Sequence, residues 1–215
     1  MLATEGLFPV YGDGVLYPVN PFIASGMLGK AAIVASVRNK DYLYYVVNSY
    51  STAQNSVIRM DTTGAVTTLT VPVSLRDVSV VDSMVIWDNQ VIITASAANK
   101  MWYMATGGGA FTEITGGTGA FNKMVVWNGA LFGTDVDDGA LYRYTGSNST
   151  RSFILVGQTY APNYAGGAEL VLYNNRIILS RYDGLYAYDG IKLNTVEDAS
   201  DNVDAKNYRF LTVLK

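Results

Sequence analysis

A nine-residue segment, DGALYRYTG at 138–146, recurs along the chain at nearly constant spacing. Related copies are DGVLYPVN (13–20), SVIRMDTTG (56–64), KMWYMATGG (100–108) and DGLYAYDG (183–190). The residues that align within these copies, Leu16, Val57, Met101, Leu141 and Leu185, are 41, 44, 40 and 44 residues apart. A period of this length is typical of an array of similar structural units. The repeat therefore constrains the fold more than any other feature of the sequence.

A second motif precedes the first at a steady distance. It is present as MVIWDNQVIIT (84–94), MVVWNGALFGT (124–134) and LVLYNNRIILS (170–180). In each copy an apolar strand ends in Trp87, Trp127 or Tyr173, and a turn containing Asn leads into a second apolar strand. Asn and Gly tolerate the positive φ angles of a tight turn, so the motif predicts a β-hairpin.

Each repeat ends with a further strand, such as AVTTLTV (65–71), AFTEIT (110–115) or RSFILV (151–156). The richness in Tyr (16 residues) and Gly (21 residues) favours strands and turns, and no long segment keeps a helical period of apolar residues. Four antiparallel strands at this period form a blade of a β-propeller. A single blade exposes both faces, so blades must pack against one another in a ring. The sequence predicts an all-β propeller.

The two ends of the chain complement each other. The segment NYRFLTVL (207–214) reads as a first strand with nothing after it, and LFPVYGDGVLY (7–17) reads as second and third strands without a first. We therefore predict one domain, 1–215, with five four-stranded blades, in which the C-terminal strand joins the N-terminal blade and closes the ring. The predicted blades are 7–25 with 207–214, 30–72, 78–116, 121–160 and 166–200. The alternative is a fragment of a longer propeller, cut inside a blade.

The chain contains no Cys and no His, which excludes disulfides, thiol nucleophiles and zinc–thiolate sites and removes the commonest general base. The formal net charge is −3 and the basic residues are scattered, so no nucleic-acid partner is expected. No apolar run has the length of a membrane span, and the first thirty residues do not resemble a signal peptide. No cofactor is expected.

Three aspartates, Asp135, Asp137 and Asp138, lie just before Gly139 and suggest a metal site. Calcium prefers several oxygen ligands, but the twelfth position of an EF-hand loop that started at Asp135 would be Gly146, which cannot serve as a ligand. The N-terminal and C-terminal copies of the loop keep only one Asp. A turn in which Asp accepts backbone hydrogen bonds and Gly takes a left-handed conformation explains all copies.

Aromatic side chains are the candidate ligand-binding residues. Those on the third strands are Tyr17, Trp102, Tyr142, Tyr144, Tyr186 and Tyr188, and those that end the first strands are Trp87, Trp127 and Tyr173. Exposed rings would stack on sugars or bases, and Trp102, Tyr142, Tyr186, Trp87 and Trp127 are the candidates for that role. The alternative is packing between adjacent blades, with successive side chains on opposite faces of the strand.

Paired carboxylates can hydrolyse glycosidic bonds without His or Cys, and Glu113, Glu169 and Glu197 are the candidate acids. They fall at unlike positions of different repeats. The segments TGGGA (106–110) and TGGTGA (115–120) are rich in Gly, but neither precedes a helix, so neither is expected to hold a phosphate group.

The repeats resemble those of β-propeller proteins over nearly the whole chain, although the Gly-His pairs of WD40 repeats, the kelch pattern and the sialidase Asp box are absent. Five aromatic-rich repeats look like those of tachylectin-type lectins, and the composition is similar to that of bacteriophage tail and neck proteins. The second resemblance implies a non-enzymatic virion component that docks other proteins of the particle. The alternatives are a carbohydrate-binding lectin with aromatic pockets between blades, and a carboxylate-dependent glycosidase.

Overall fold

The computed structural model describes residues 31–49, 52–135, 138–157, 169–181 and 184–198. These residues form four antiparallel sheets of four strands, and in each sheet the strands are hydrogen-bonded in chain order. Sheet 1 contains β1 (Ala31–Arg38), β2 (Tyr42–Ser49), β3 (Asn55–Asp61) and β4 (Val66–Leu69). Sheet 2 contains β5 (Ser83–Trp87), β6 (Gln90–Ala95), β7 (Lys100–Ala105) and β8 (Thr112–Glu113).

Sheets 3 and 4 repeat this order. Sheet 3 contains β9 (Lys123–Trp127), β10 (Ala130–Thr134), β11 (Leu141–Tyr144) and β12 (Phe153–Gly157). Sheet 4 contains β13 (Glu169–Tyr173), β14 (Arg176–Arg181), β15 (Gly184–Tyr188) and β16 (Leu193–Asp198). A single helical turn, α1 (Val73–Arg76), connects sheets 1 and 2.

The first two strands of sheets 2, 3 and 4 are joined by two-residue turns. Both residues of each turn have positive φ, for example 48° at Asn128 and 75° at Gly129, and 47° at Asn174 and 56° at Asn175. Such turns match the twist of the flanking strands. The predicted hairpins are therefore confirmed.

The sheets are arranged around their first strands. β1 contacts β5, β5 contacts β9, and β9 contacts β13. Isolated parallel bridges also link sheets farther out, between Thr70 and Ala110 and between Gly116 and Thr150. Successive sheets with adjacent first strands form a β-propeller-like arrangement.

Apolar side chains fill the spaces between neighbouring sheets, and alternation along each strand directs them. On β6, Ile93 packs in a cluster with Tyr44 and Val46 of sheet 1, whereas Ile92 packs in a cluster with Leu131 of sheet 3. A third cluster joins sheets 3 and 4 and includes Phe132, Leu141, Leu179, Tyr186 and Tyr188. Burial of these side chains on both faces of sheets 2 and 3 stabilises the array, at about 25 cal/mol per Å² of apolar surface removed from water.

The all-β class and the four-stranded antiparallel sheets agree with the prediction from the sequence. The segments 7–25 and 207–214, which were predicted to close the ring as a fifth blade, lie outside the described residues. The repeat pattern did not predict α1. A buried side chain holds this turn in place, because Asn55 Nδ2 donates to the carbonyl oxygens of Leu75 at 3.0 Å and Val78 at 2.7 Å.

Candidate binding site

The Asp-Gly loop of sheet 3 is built as a turn. Asp138 Oδ1 accepts a hydrogen bond from the Ala140 amide at 2.8 Å, and Oδ2 accepts one from the Tyr142 hydroxyl at 2.6 Å. Gly139 has a φ of 61°, and its amide donates to the Asp135 carbonyl at 3.0 Å. The carboxylate of Asp138 therefore orders the loop and fixes the phenol of Tyr142.

A buried arginine from the next sheet lies beneath this loop. Arg181 is 1% exposed, and its Nη1 donates to the Asp138 carbonyl at 2.9 Å. A Cβ at position 139 would lie 2.5 Å from the guanidinium carbon, so Gly139 is required for space as well as for its backbone angle. The sequence analysis did not identify Arg181. The aligned repeats already showed its unusual position. Ser180, Thr134 and Thr94 are equivalent, so Arg181 stands where the other two repeats have Asp135 and Ala95.

No group of three or more acidic residues among those that the structure describes is placed to hold a metal ion. Asp137 is not among them, so the site proposed from Asp135, Asp137 and Asp138 remains a prediction. Both carboxylate oxygens of Asp138 already accept hydrogen bonds.

Two of the candidate aromatic residues are buried between sheets. Trp102 is 0% exposed, packs in the cluster between sheets 1 and 2, and donates from Nε1 to Ser74 Oγ of α1 at 3.1 Å. Tyr186 is 3% exposed and packs in the cluster between sheets 3 and 4. Both rings contribute to packing in this structure.

The two tryptophans that end first strands make matching contacts with the following sheet. Trp87 Nε1 donates to the Gly129 carbonyl at 2.8 Å, and Trp127 Nε1 donates to Asn175 Oδ1 at 3.2 Å. Both acceptors lie in the hairpin turn of the next sheet. The rings also pack edge-on against Tyr144 (5.6 Å) and Tyr188 (5.7 Å) respectively. A ligand-binding role for either tryptophan remains a prediction.

Tyr142 lines a cavity of about 120 Å³, together with Ala120, Phe121, Asp135 and Phe153. The cavity is associated with a departure of sheet 3 from the repeat. The residue paired with Tyr142 is Gly133, whereas the corresponding pairs are Trp102 with Ile93 and Tyr186 with Leu179. Phe121 takes the space of the missing side chain, because a Cβ on Gly133 would lie 2.5 Å from its Cδ1.

The hydroxyl group at this cavity belongs to Tyr142, and its pKa is raised. Burial raises the pKa of Tyr142, and the hydrogen bond to Asp138 and the negative charges of Asp138 and Asp135 raise it further. The phenol therefore stays protonated at neutral pH and donates its proton to Asp138. The Asp135 carboxylate brings negative charge to a wall that is otherwise aromatic and apolar.

Two of the three candidate catalytic glutamates lie on the outer strands of sheet 4. Glu169 pairs with Ser180, Ser180 with Leu185, and Leu185 with Glu197. The backbones of Glu169 and Glu197 are thus three strand spacings apart, about 14 Å.

Glu113 lies in another sheet and forms an ion pair with Lys100 at 3.3 Å. Its burial opposes ionisation, but hydrogen bonds from Ser74 and Lys100 and the charge of Lys100 outweigh that effect and lower the pKa of Glu113. A general acid of a glycosidase needs a raised pKa. Glu169 in turn forms an ion pair with Lys123 of sheet 3 at 3.3 Å.

The two glycine-rich loops bind arginine side chains of this chain. Arg59 Nη1 donates to the Gly107 carbonyl at 2.9 Å. Arg151 donates from Nη2 to the Gly117 carbonyl at 2.8 Å and from Nη1 to the Gly119 carbonyl at 3.0 Å. Here carbonyl oxygens of the loops accept charge-assisted hydrogen bonds from guanidinium groups of the same chain.

Within the ranges that the structure describes, no helix is both long and apolar enough to cross a membrane.

The fold and the cavity together define a β-propeller-like protein with an aromatic pocket in one of its sheets. No protein-family model and no curated protein sequence matches the chain. Among solved structures, the chain is similar to a protein provisionally described as a gluconolactonase, with 12% identity, a TM-score of 0.55, and coverage of 90% of this chain and 72% of that one. A nidogen–laminin complex also matches, with 10% identity, a TM-score of 0.47, and coverage of 85% and 84%. At such low identity the likeness shows the fold alone.

Proposed function

We propose that this protein is a non-enzymatic interaction protein that uses a rigid array of sheets as a docking platform. The observation that supports this proposal is the engagement of two of the three candidate acids in ion pairs. Glu113 pairs with Lys100, and Glu169 pairs with Lys123. A shared fold does not transfer an activity, so the likeness to a protein described as a gluconolactonase neither supports nor excludes catalysis.

The enzymatic alternative has a direct test. Glycosidase activity on a panel of aryl glycosides is expected to be at background. Hydrolysis that Glu169→Gln abolishes, or that the same change at Glu113 or Glu197 abolishes, would overturn the non-enzymatic assignment. Lys123→Met is the matched control for Glu169→Gln, because it breaks the same ion pair without removing a carboxylate.

The platform that we propose is a five-bladed ring closed by residues 207–214 on the blade at 7–25. One observation on the described residues supports it. Tyr45, Ile58 and Met60 are buried on one face of sheet 1, in a cluster whose described residues all belong to sheet 1.

Ring closure is tested by removing residues 207–215. A chain that lacks its closing strand loses the packing of that strand on the first blade, so its thermal midpoint is expected to fall by more than 10 °C, since about 1 kcal/mol shifts the midpoint of a domain of this size by about 2 to 4 °C. Removal of Lys215 alone is the control. A truncated protein that melts like the control would contradict closure as proposed.

We further propose that the partners are other proteins of a bacteriophage particle, at the tail, the neck or the capsid surface. Composition supports this proposal: 15% charged residues, 16 Tyr, 21 Gly, and no Cys or His. The expected result is that neighbouring genes encode portal, capsid or tail proteins, and that purified particles contain the chain. A neighbourhood of metabolic genes, with particles that lack the chain, would contradict it.

A carbohydrate-binding lectin is the second candidate, because Tyr142 lines a cavity with Phe121 and Phe153. Burial of Trp102 and Tyr186 means that the corresponding positions of sheets 2 and 4 do not offer open rings in this structure. A lectin would therefore use one pocket and not a repeated set. A glycan array on which the protein binds nothing would exclude this candidate.

A further inference from the structure

The cavity of sheet 3 combines aromatic walls with a carboxylate. Phe121, Phe153 and Tyr142 supply the rings, and Asp135 supplies the charge. Phe121 and Phe153 meet edge to face with their centres 4.8 Å apart, so together they form a continuous aromatic corner and not two sides of a slot. A ring face attracts a cation within about 6 Å of its centre, and a nearby carboxylate adds to that attraction.

The described polar side chains at the cavity suit a cation. Among the described residues that line it, the only hydroxyl belongs to Tyr142, and its proton is donated to Asp138. The carboxylate of Asp135 accepts hydrogen bonds. These side chains thus offer an acceptor and negative charge, which is what an ammonium group requires.

Size points the same way. The cavity volume is about 120 Å³. Apolar cavities of about 150 Å³ in proteins admit a ligand the size of benzene, and a hexose has about twice as many heavy atoms. A trimethylammonium or alkylammonium head fits these dimensions, whereas a hexose would enter the open cavity only in part.

A comparison of equivalent positions in sheets 2, 3 and 4 shows which features of the cavity belong to sheet 3. At the position of Asp135, sheet 2 has Ala95 and sheet 4 has the buried Arg181. At the position of Gly133, the other two sheets have Ile93 and Leu179. The glycine that admits the Phe121 ring and the aspartate at the cavity wall thus occur together in sheet 3 and in neither of the other two sheets.

We propose that this cavity binds a compact organic cation, an alkylammonium or quaternary ammonium head, with Phe153 and Tyr142 contacting its apolar groups and Asp135 balancing its charge. The proposal deepens the docking function, because a cationic side chain of a partner protein has the same chemistry. It does not depend on that function, since a free small molecule with such a head would bind in the same way.

Ligand-observed NMR with the full-length protein tests the proposal. Choline is the probe, and 3,3-dimethyl-1-butanol, which has the same shape without the charge, is its neutral match. Methyl glucoside is the sugar probe. We expect saturation transfer to the choline methyl groups and little transfer to the alcohol or the glucoside. Equal transfer to choline and the alcohol, or transfer to the glucoside alone, would overturn the proposal.

Variants locate the site. Asp135→Asn keeps the shape and removes the charge, and Phe153→Leu keeps an apolar wall and removes the ring face. Each is expected to weaken choline binding about tenfold. Asp41→Asn, an exposed aspartate of sheet 1, is the control and is expected to change nothing. Thermal unfolding checks that each variant is folded. A folded Asp135→Asn protein that binds choline like the control would overturn the assignment.

A lysine peptide and an N-trimethyl-lysine peptide then distinguish the sources of the cation. Binding of either peptide in competition with choline assigns the site to a protein partner, and binding of choline alone assigns it to a free small molecule. These readouts use no virion or cellular protein. A failed search for docking partners would leave them unchanged, and absence of choline binding would leave the docking proposal unchanged.

Discussion

At the scale of single residues, glycines show how much the repeat tolerates. Gly133 occupies a position where the neighbouring sheets carry Ile93 and Leu179, and the ring of Phe121 fills the space. The cavity depends on this exchange of one side chain for another. Gly133 has no side chain of its own to pack, and the Phe121 ring therefore occupies that space and lines the cavity.

Gly133→Ala is expected to destabilise the protein by about 1 to 3 kcal/mol, because the added methyl group meets Phe121 and lies 2.6 Å from the Lys123 carbonyl oxygen. Chemical denaturation measures the change in the free energy of unfolding. Gly107→Ala is the control, since nothing lies within 4 Å of a Cβ at that position. If both variants unfold at the same denaturant concentration, Phe121 does not occupy the space above Gly133.

At the scale of elements, α1 is attached to sheet 2 by a chain of polar contacts. Trp102 Nε1 donates to Ser74 Oγ, Ser74 hydrogen-bonds Glu113, and Lys100 forms an ion pair with Glu113 at 3.3 Å. This arrangement joins a helical turn to the third and fourth strands of the sheet. It also makes the ionised form of Glu113 the favoured form in the folded protein.

The lowered pKa of Glu113 predicts a pH-dependent contribution to stability. The folded pKa lies below the ordinary value of 4.5, so Glu113 stabilises the fold above that value, and the contribution is lost as the pH falls through the folded pKa. Glu113→Gln is expected to reduce the free energy of unfolding at pH 7 and to have little effect near pH 2. Urea unfolding at both pH values measures this. An equal loss at both would show that the carboxylate charge is not involved.

The contacts between first strands and the next hairpin are the second feature at this scale. Trp127→Phe keeps the aromatic packing against Phe132 and Tyr188 but removes the hydrogen bond to Asn175. The expected loss is about 0.5 to 1.5 kcal/mol, the net value of one hydrogen bond, together with lost ring area. Trp87→Phe is the equivalent change one sheet earlier and is expected to cost a similar amount. Thermal and chemical unfolding compare them, and a neutral effect in both would show that these hydrogen bonds do not hold the sheets together.

At the scale of the whole molecule, the repeat in the sequence was sufficient to predict the hairpins and the order of the strands. The hairpins at Asn128 and Asn174 follow from residues that tolerate positive φ, and the strand order follows from short connections. The features it did not predict depend on contacts between sheets. Arg181 is buried beneath a loop of sheet 3, and Phe121 fills the space over Gly133. The aligned repeats mark Arg181 and Gly133 as different from their counterparts, but the residues that they contact are distant in the sequence and leave no local pattern.

Interfaces between successive sheets also determine what a truncated chain is expected to do. Removal of 207–215 is expected to leave the face of sheet 1 that contains Tyr45, Ile58 and Met60 less well covered. The truncated protein is then expected to associate as its concentration rises, whereas the intact protein keeps a constant mass. Light scattering over a range of concentrations measures this. A truncated protein that stays monomeric and folded would mean that residues 207–215 do not protect that face.

The tryptophan contacts have a direction. Each one runs from the end of a first strand to the hairpin of the following sheet, so one side of a sheet donates and the other side accepts. Head-to-tail interfaces of this kind either close into a ring or continue into an open filament. In the closed ring that we propose, the number of repeats in the chain would determine whether the last sheet meets the first. A chain with one repeat too few or too many would carry an unmatched donor side and an unmatched acceptor side, and two such chains would satisfy each other by joining end to end.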